Sequence, residues 1–146
     1  MSFGLAGDIG YLGSASTVPI SPPAGFSSLN SPSIEIIDSL SNEFKLYIGR
    51  SNLVEFRCRE SGNLLDLLSE NVDRIQFFVG STCLDSISNP GAINWLGGNG
   101  VVQVKYQSMQ LTPGKYPFKL VLFTPLEVYG VVFNDPAKFT ANCVKE

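Results

Sequence analysis

From Ile34 onward, apolar and polar residues alternate with the two-residue period of strands that bury one face. Phe44, Leu46 and Ile48 alternate with Lys45 and Tyr47; Val54, Phe56 and Cys58 alternate with Glu55, Arg57 and Arg59. Ile75, Phe77 and Val79 oppose Arg74, Gln76 and Phe78, and Val102, Val104 and Tyr106 oppose Gln103 and Lys105. Tyr116, Phe118, Leu120 and Leu122 face away from Lys115 and Lys119. Short runs at 33–37, 131–133 and 138–144 complete the set. Residues 64–68 break the pattern. Four leucines in five positions, with little β-branching, predict a helical turn or a connector that plugs one end of the core. Asn89-Pro90-Gly91, Gly97-Gly98-Asn99-Gly100, Pro113-Gly114 and Asn134-Asp135-Pro136 supply turns between the runs. Short strands with recurring turns and no βαβ alternation predict an all-β protein, an antiparallel sandwich over residues 34–146. Phe56, Ile75, Phe77, Val102, Val104, Tyr116, Phe118, Leu120 and Leu122 are its expected core.

Residues 1–33 are of another kind. They hold five Gly, eight Ser and four Pro, and Asp8 is their one charge. Such a composition builds neither helix nor core by itself. Yet Phe3, Leu5, Ile9, Tyr11, Leu12 and Ile20 are spaced through it. A disordered leader is one reading, but a flexible tether has no use for large apolar side chains at intervals. An extended arm that docks on another surface does, so these six are its expected anchors. Phe78 and Phe123 raise a related question, as do Tyr47 and Val121. They lie on the parity that should face water, which predicts an outer sheet face covered by the arm or by a partner subunit.

Charge and composition narrow the chemistry. The chain has 146 residues, a net charge of −3 and no histidine. It carries no basic footprint for nucleic acid or an anionic membrane, and its apolar runs are too short to span a bilayer. Its start lacks the basic and apolar regions of a signal peptide, so none is expected. Without histidine there is no Ser-His or Cys-His pair. Cys58, Cys83 and Cys143 are an odd set without metal spacing, expected as buried free thiols. Gly97-Gly98-Asn99-Gly100 lacks the Lys-Ser/Thr of a phosphate loop and is expected to be a hairpin turn. Asp66, Glu70, Asp73 and Asp85 match no calcium loop and are expected to cap and solvate turns. Arg57, Arg59 and Arg74 form either a small basic patch or cross-strand pairs with Glu55 or Glu60. Two arginines on one strand would also blunt an exposed edge. No cofactor, metal or catalytic residue is expected.

Leu111-Thr112-Pro113-Gly114-Lys115-Tyr116 resembles the corner of immunoglobulin-like domains, where a tyrosine hydroxyl bonds back across a turn. The expected fold is therefore an antiparallel immunoglobulin-like β-sandwich with an extended N-terminal arm. A longer resemblance covers residues 72–134. It runs from Val72-Asp73-Arg74-Ile75-Gln76-Phe77-Phe78-Val79-Gly80 through Cys83-Leu84-Asp85-Ser86 and Ile93-Asn94-Trp95, and on to the glycine-rich turn and its strand. It ends in the tyrosine corner, Leu120-Val121-Leu122-Phe123 and Gly130-Val131-Val132-Phe133. This order is similar to small immunoglobulin-like proteins of tailed bacteriophages, of the tail, baseplate and fibre-attachment type. The resemblance implies a non-enzymatic virion building block, assembled in the bacterial host cytoplasm. It implies other virion proteins as partners and several copies or a homo-oligomer in the particle. Alternatives are a capsid decoration protein, or a carbohydrate-binding module with Trp95 and Tyr129 as stacking platform. A hydrolase on a β scaffold is disfavoured by the missing histidine.

Overall fold

The computed structural model describes residues 31–39, 41–95, 99–107 and 111–145. Its strands are β1 (Pro32–Ile36), β2 (Glu43–Tyr47), β3 (Asn52–Glu60), β4 (Asn63–Leu64), β5 (Arg74–Val79), β6 (Thr82–Asp85), β7 (Ile93–Trp95), β8 (Val101–Tyr106), β9 (Gly114–Phe123), β10 (Val131–Val132) and β11 (Thr140–Val144). Alternation became strand wherever one parity could be buried. In β3 the buried positions are Asn52, Val54, Phe56 and Cys58, and in β5 they are Ile75, Phe77 and Val79. One sheet runs β1-β3-β8-β7 with β4 beside β3; the other runs β2-β11-β9-β5-β6 with β10 beside β9. This is the immunoglobulin-like arrangement of two Greek-key sheets, with β6 extending the second sheet as in variable-type domains. The fold is an all-β immunoglobulin-like β-sandwich.

Phenylalanines join the sheets. Phe56 of β3, Phe77 of β5 and Phe118 of β9 are fully buried, with ring centroids 5.5–5.9 Å apart. Phe44 of β2 packs edge-on against Phe118 at 4.8 Å. In antibody domains the second inter-sheet cysteine lies two residues after the corner tyrosine. Here that place holds Phe118, and stacked rings take over the work of a covalent bridge. Tilted and edge-on pairs of this kind add about 0.5–1.5 kcal/mol each beyond their burial. The corner itself forms as expected: the Tyr116 hydroxyl donates to the Thr112 carbonyl at 2.9 Å. Its ring is half-buried rather than a full core residue, because its rim position leaves one side to solvent.

β10 and β11 are two parts of one strand lying along β9. Between the Val131–Leu122 and Thr140–Pro117 pairs, β9 advances five residues and the facing chain nine. The surplus loops out, and Asn134 closes the gap. Its Oδ1 accepts from the Leu120 N–H at 2.8 Å, and its Nδ2 donates to the Phe118 carbonyl at 2.7 Å. A buried side-chain amide thus stands in for a missing stretch of backbone.

Four expectations need correction. The sandwich is not wholly antiparallel, since β2 pairs β11 in parallel, Glu43 opposite Thr140. The chain crosses from β1 to the second sheet and arrives running in the same sense as β11. Periodicity says nothing of strand direction. Second, β4, β6 and β7 were not foreseen; they are two to four residues long and show little alternation. Third, β3 lies between β1 and β8, so Arg57 and Arg59 guard no edge. Fourth, β1 begins at Pro32, inside the segment assigned to the arm. At residues 64–68 the connector reading holds: Leu65 and Leu67 enter the core, while Leu64 and Leu68 are exposed.

Candidate interaction surface

The outer face of the second sheet carries both aromatic residues singled out from the sequence. Phe78 lies opposite Lys119 and Phe123 opposite Arg74, across the same strand pair. The Lys119 ammonium sits 4.7 Å from the Phe78 centroid, and the Arg74 guanidinium 5.2 Å from that of Phe123. Each ring is half-buried under a cation from its own sheet. Val121, expected to face outward, is buried. A Cβ on Gly130 would lie 2.6 Å from Val121 Cγ1 and 2.8 Å from Phe123 Cε2. Gly130, at φ +82°, therefore lets both side chains fold across the backbone of the returning strand.

Arg74 is itself held in place. Its Nε donates to Asp85 Oδ2 at 3.0 Å, and a second guanidinium nitrogen pairs with the same oxygen. Gln76 Nε2 donates to that oxygen at 2.9 Å, and the Ile87 N–H donates to Oδ1 at 2.8 Å. Asp85 is buried. The Arg74 guanidinium, acting against the cost of burial and aided by Gln76 and Ile87, holds its carboxyl well below the usual carboxylate range.

Beyond this pair the strands end and the loops gather. The Asp73 N–H donates to the Phe123 carbonyl at 3.0 Å, and the Ser86 N–H to the Ile75 carbonyl at 3.0 Å. So the loops at 61–73, 86–92 and 124–130 emerge at the same end of the sandwich. Thr124 and Glu127 clamp the third: the Glu127 N–H donates to the Thr124 carbonyl and to its Oγ1, both at 3.1 Å. With its polar groups turned inward, the loop turns its apolar residues out. Leu126 is 46% exposed, Val128 63%, Tyr129 94%, and Ile87 of the adjacent loop 61%. Ile87, Phe123, Pro125 and Val128, with Asp73, Arg74 and Thr124, line an open groove of about 380 Å³. Separate apolar residues are ordinary on a protein surface; here Ile87, Phe123, Pro125 and Val128 meet in one groove. The Ser61 N–H donates to the Ser31 carbonyl at 2.9 Å, so β1 also begins at this end.

The other sequence-based candidates have structural roles. Phe3, Leu5, Ile9, Tyr11, Leu12 and Ile20 lie outside the described residues. Arg57 and Arg59 both pair with Glu35 of β1, at 3.6 and 2.8 Å, and not with Glu55 or Glu60. Arg74 belongs to the other sheet, so no three-arginine patch forms. Asp66 caps its turn, accepting from the Leu68 and Ser69 N–H groups at 3.1 and 3.2 Å. Trp95 packs half-buried against the core of the first sheet, while Tyr129 stands on a loop of the second. Cys58 and Cys143 are buried free thiols, with Cys58 pushed up to about 12 by desolvation; Cys83, expected to be buried, is exposed on the edge strand β6. β7 and β8 pair antiparallel; of the glycine-rich run between them, Gly97 and Gly98 lie outside the described residues, and Gly100 is fixed, since a Cβ would lie 2.7 Å from the Cys58 carbonyl. Among the described residues no group of three His, Cys, Asp or Glu could hold a metal ion, and no helix is long and apolar enough to cross a membrane. The apolar loop end was missed. Its signal was Leu126, Val128 and Tyr129 standing together in a segment without strand period.

No family model matches the chain, and no curated protein matches it. Solved structures of similar shape include an endo-beta-1,4-mannanase from Thermotoga petrophila, with 13% identity over 82% of this chain and a TM-score of 0.48. Others are a titin immunoglobulin tandem, A164-A165 (12% identity, 81% of this chain, TM-score 0.41), and the Lin-41 filamin domain (17%, 76%, 0.43). The matched region is 21% of the mannanase, 51% of the titin tandem and 91% of the filamin domain. These scores are below 0.5, and the fold assignment rests on the strand order and register described above.

Proposed function

We propose that this chain is a non-enzymatic structural component of a tailed-bacteriophage virion, of the tail, baseplate or fibre-attachment type. In this reading it docks on neighbouring subunits through residues 1–33. The carrying observation is the apolar loop end: exposed Val128 and Ile87 line a groove at the end of the sandwich where β1 begins, and exposed Tyr129 follows Val128 on the same loop. Apolar surface concentrated beside the root of a nearly uncharged, apolar-studded segment suits a protein that is finished by its neighbours. The non-enzymatic part draws support from the acidic residues, since Asp66 caps a turn and Asp85 is fully engaged by Arg74, Gln76 and Ile87. The virion setting is what the resemblance of residues 72–134 to small immunoglobulin-like phage proteins implies.

The test is made on particles. Peptide mass spectrometry of purified virions from a phage that encodes this chain should find it at a fixed copy number. Deleting residues 1–30 should leave the circular dichroism of the domain unchanged and remove the protein from particles. Virions without the chain, or normal incorporation of the truncated form, would overturn the reading.

A further inference from the structure

We propose that the loop-end groove is the acceptor for residues 3–20 of a second copy of this chain, so that two copies exchange arms. The inference rests on the assembly reading above and names the partner of that surface. Three observations carry it.

The first is chemical fit. The groove offers Ile87, Phe123, Pro125 and Val128, with Leu126 and Tyr129 exposed on the same loop. Its cation, Arg74, is already committed to Asp85 and to the face of Phe123. An occupant with many charges would have to leave them desolvated and unpaired. Residues 3–20 carry Asp8 as their sole charge, and they present Phe3, Leu5, Ile9, Tyr11, Leu12 and Ile20 at intervals that an extended segment can set into a groove.

The second is place. The N-terminal stretch outside the described residues ends at Asn30, and Ser31 is fixed by the Ser61 N–H at the loop end itself. Donor root and acceptor groove therefore face the same way. Two copies meeting end to end about a twofold axis each offer an arm where the other offers a groove, which closes the assembly as a dimer.

The third is reach. Residues 21–30 separate the anchors from the domain and include Pro22 and Pro23. Extended at ~3.1 Å per residue, such a spacer covers about 30 Å. A five-stranded sheet at ~4.8 Å per strand is about 20 Å across. Such a spacer is long enough for the anchors to pass the edge of their own domain and reach a neighbour's.

The experiment uses the full chain. Sedimentation equilibrium over a wide concentration range should show a reversible monomer–dimer equilibrium. Two variants test the two halves: Val128→Asp with Tyr129→Ser on the acceptor loop, and Leu5→Asp with Tyr11→Ser on the arm. Both acceptor positions are exposed, so the domain should keep its circular dichroism. Each variant should weaken dimerisation about tenfold or more, as loss of central anchors does. Mixing the two variants should give a heterodimer tighter than either variant's own dimer and weaker than the native one, because the intact arm of the first fits the intact groove of the second and one of the two exchanges is regained; a merely structural defect would not be rescued. A chain that is monomeric at every concentration overturns the exchange, as does a dimer that either variant leaves unchanged or a mixture that fails to recover. A chain found in virions yet monomeric keeps the assembly reading and discards this one. A dimer absent from virions does the reverse.

Discussion

Asn134 shows how much one side chain can hold. It completes a ladder that the backbone leaves open, serving the Leu120 N–H and the Phe118 carbonyl at once. Asn134→Ala would strand both groups away from water, and chemical denaturation should record a loss of about 1–3 kcal/mol. In the sequence this residue reads only as the start of an Asn-Asp-Pro turn. Its second role depends on the surplus residues opposite β9, which no local pattern reveals. Asp85 makes a second residue-scale case. Its carboxyl is held below the ordinary range in the folded state by Arg74, so the ionised form stabilises the fold. That contribution is complete above the unfolded aspartate value of about 4, and it is lost as pH falls through the depressed folded value. Asp85→Asn should therefore be less stable than the native protein at neutral pH. In thermal melts the gap between the two should narrow steadily as pH drops below about 4. Buried networks of this kind were out of reach from sequence, because Asp85 sits eleven residues from Arg74 and in a strand that was not foreseen.

At the scale of the elements, register makes the sharpest prediction. Phe118 is buried in the ring cluster and Lys119 points the other way, over Phe78. Phe118→Ala should cost about 3–5 kcal/mol. Lys119→Ala removes only a surface cation–ring contact and should cost under about 1 kcal/mol. Equal losses in parallel urea titrations would mean the strand faces are reversed. The β9–β10 hairpin has its own vulnerable point. Gly130→Ala sets a methyl group against Val121 and Phe123 in a backbone conformation that only glycine adopts easily, and the melting temperature should fall. The long strands were legible because each buries one face, and burial is what alternation records. Strand direction and the choice of Glu35 as the arginines' partner were not, since both depend on which strand lands beside which.

For the whole molecule, the division into arm and domain makes a simple prediction. A chain lacking residues 1–30 should retain a cooperative melt, because residues 31–145 already build two paired sheets around a buried core. The same truncation should abolish concentration-dependent association in sedimentation. The fold class was readable from alternation, turns and the tyrosine corner. The loop-end surface was not, because a binding face on loops has no periodicity. It emerges only when separate loops at 86–92 and 124–130 are brought to one end by the strands between them.

The parallel pair also sets a timetable. Glu43 of β2 and Thr140 of β11 are bonded side by side although 97 residues separate them. At a synthesis rate of about 5–20 residues per second, β2 waits roughly 5–20 seconds for its neighbour to exist. For that interval the whole of β2 lacks its ladder partner, and in the last few seconds of it one flank of β9 does too; both are open to another chain. A nascent chain of this protein is thus most exposed to misassociation until β11 has been made, and holding chaperones should engage it in that interval.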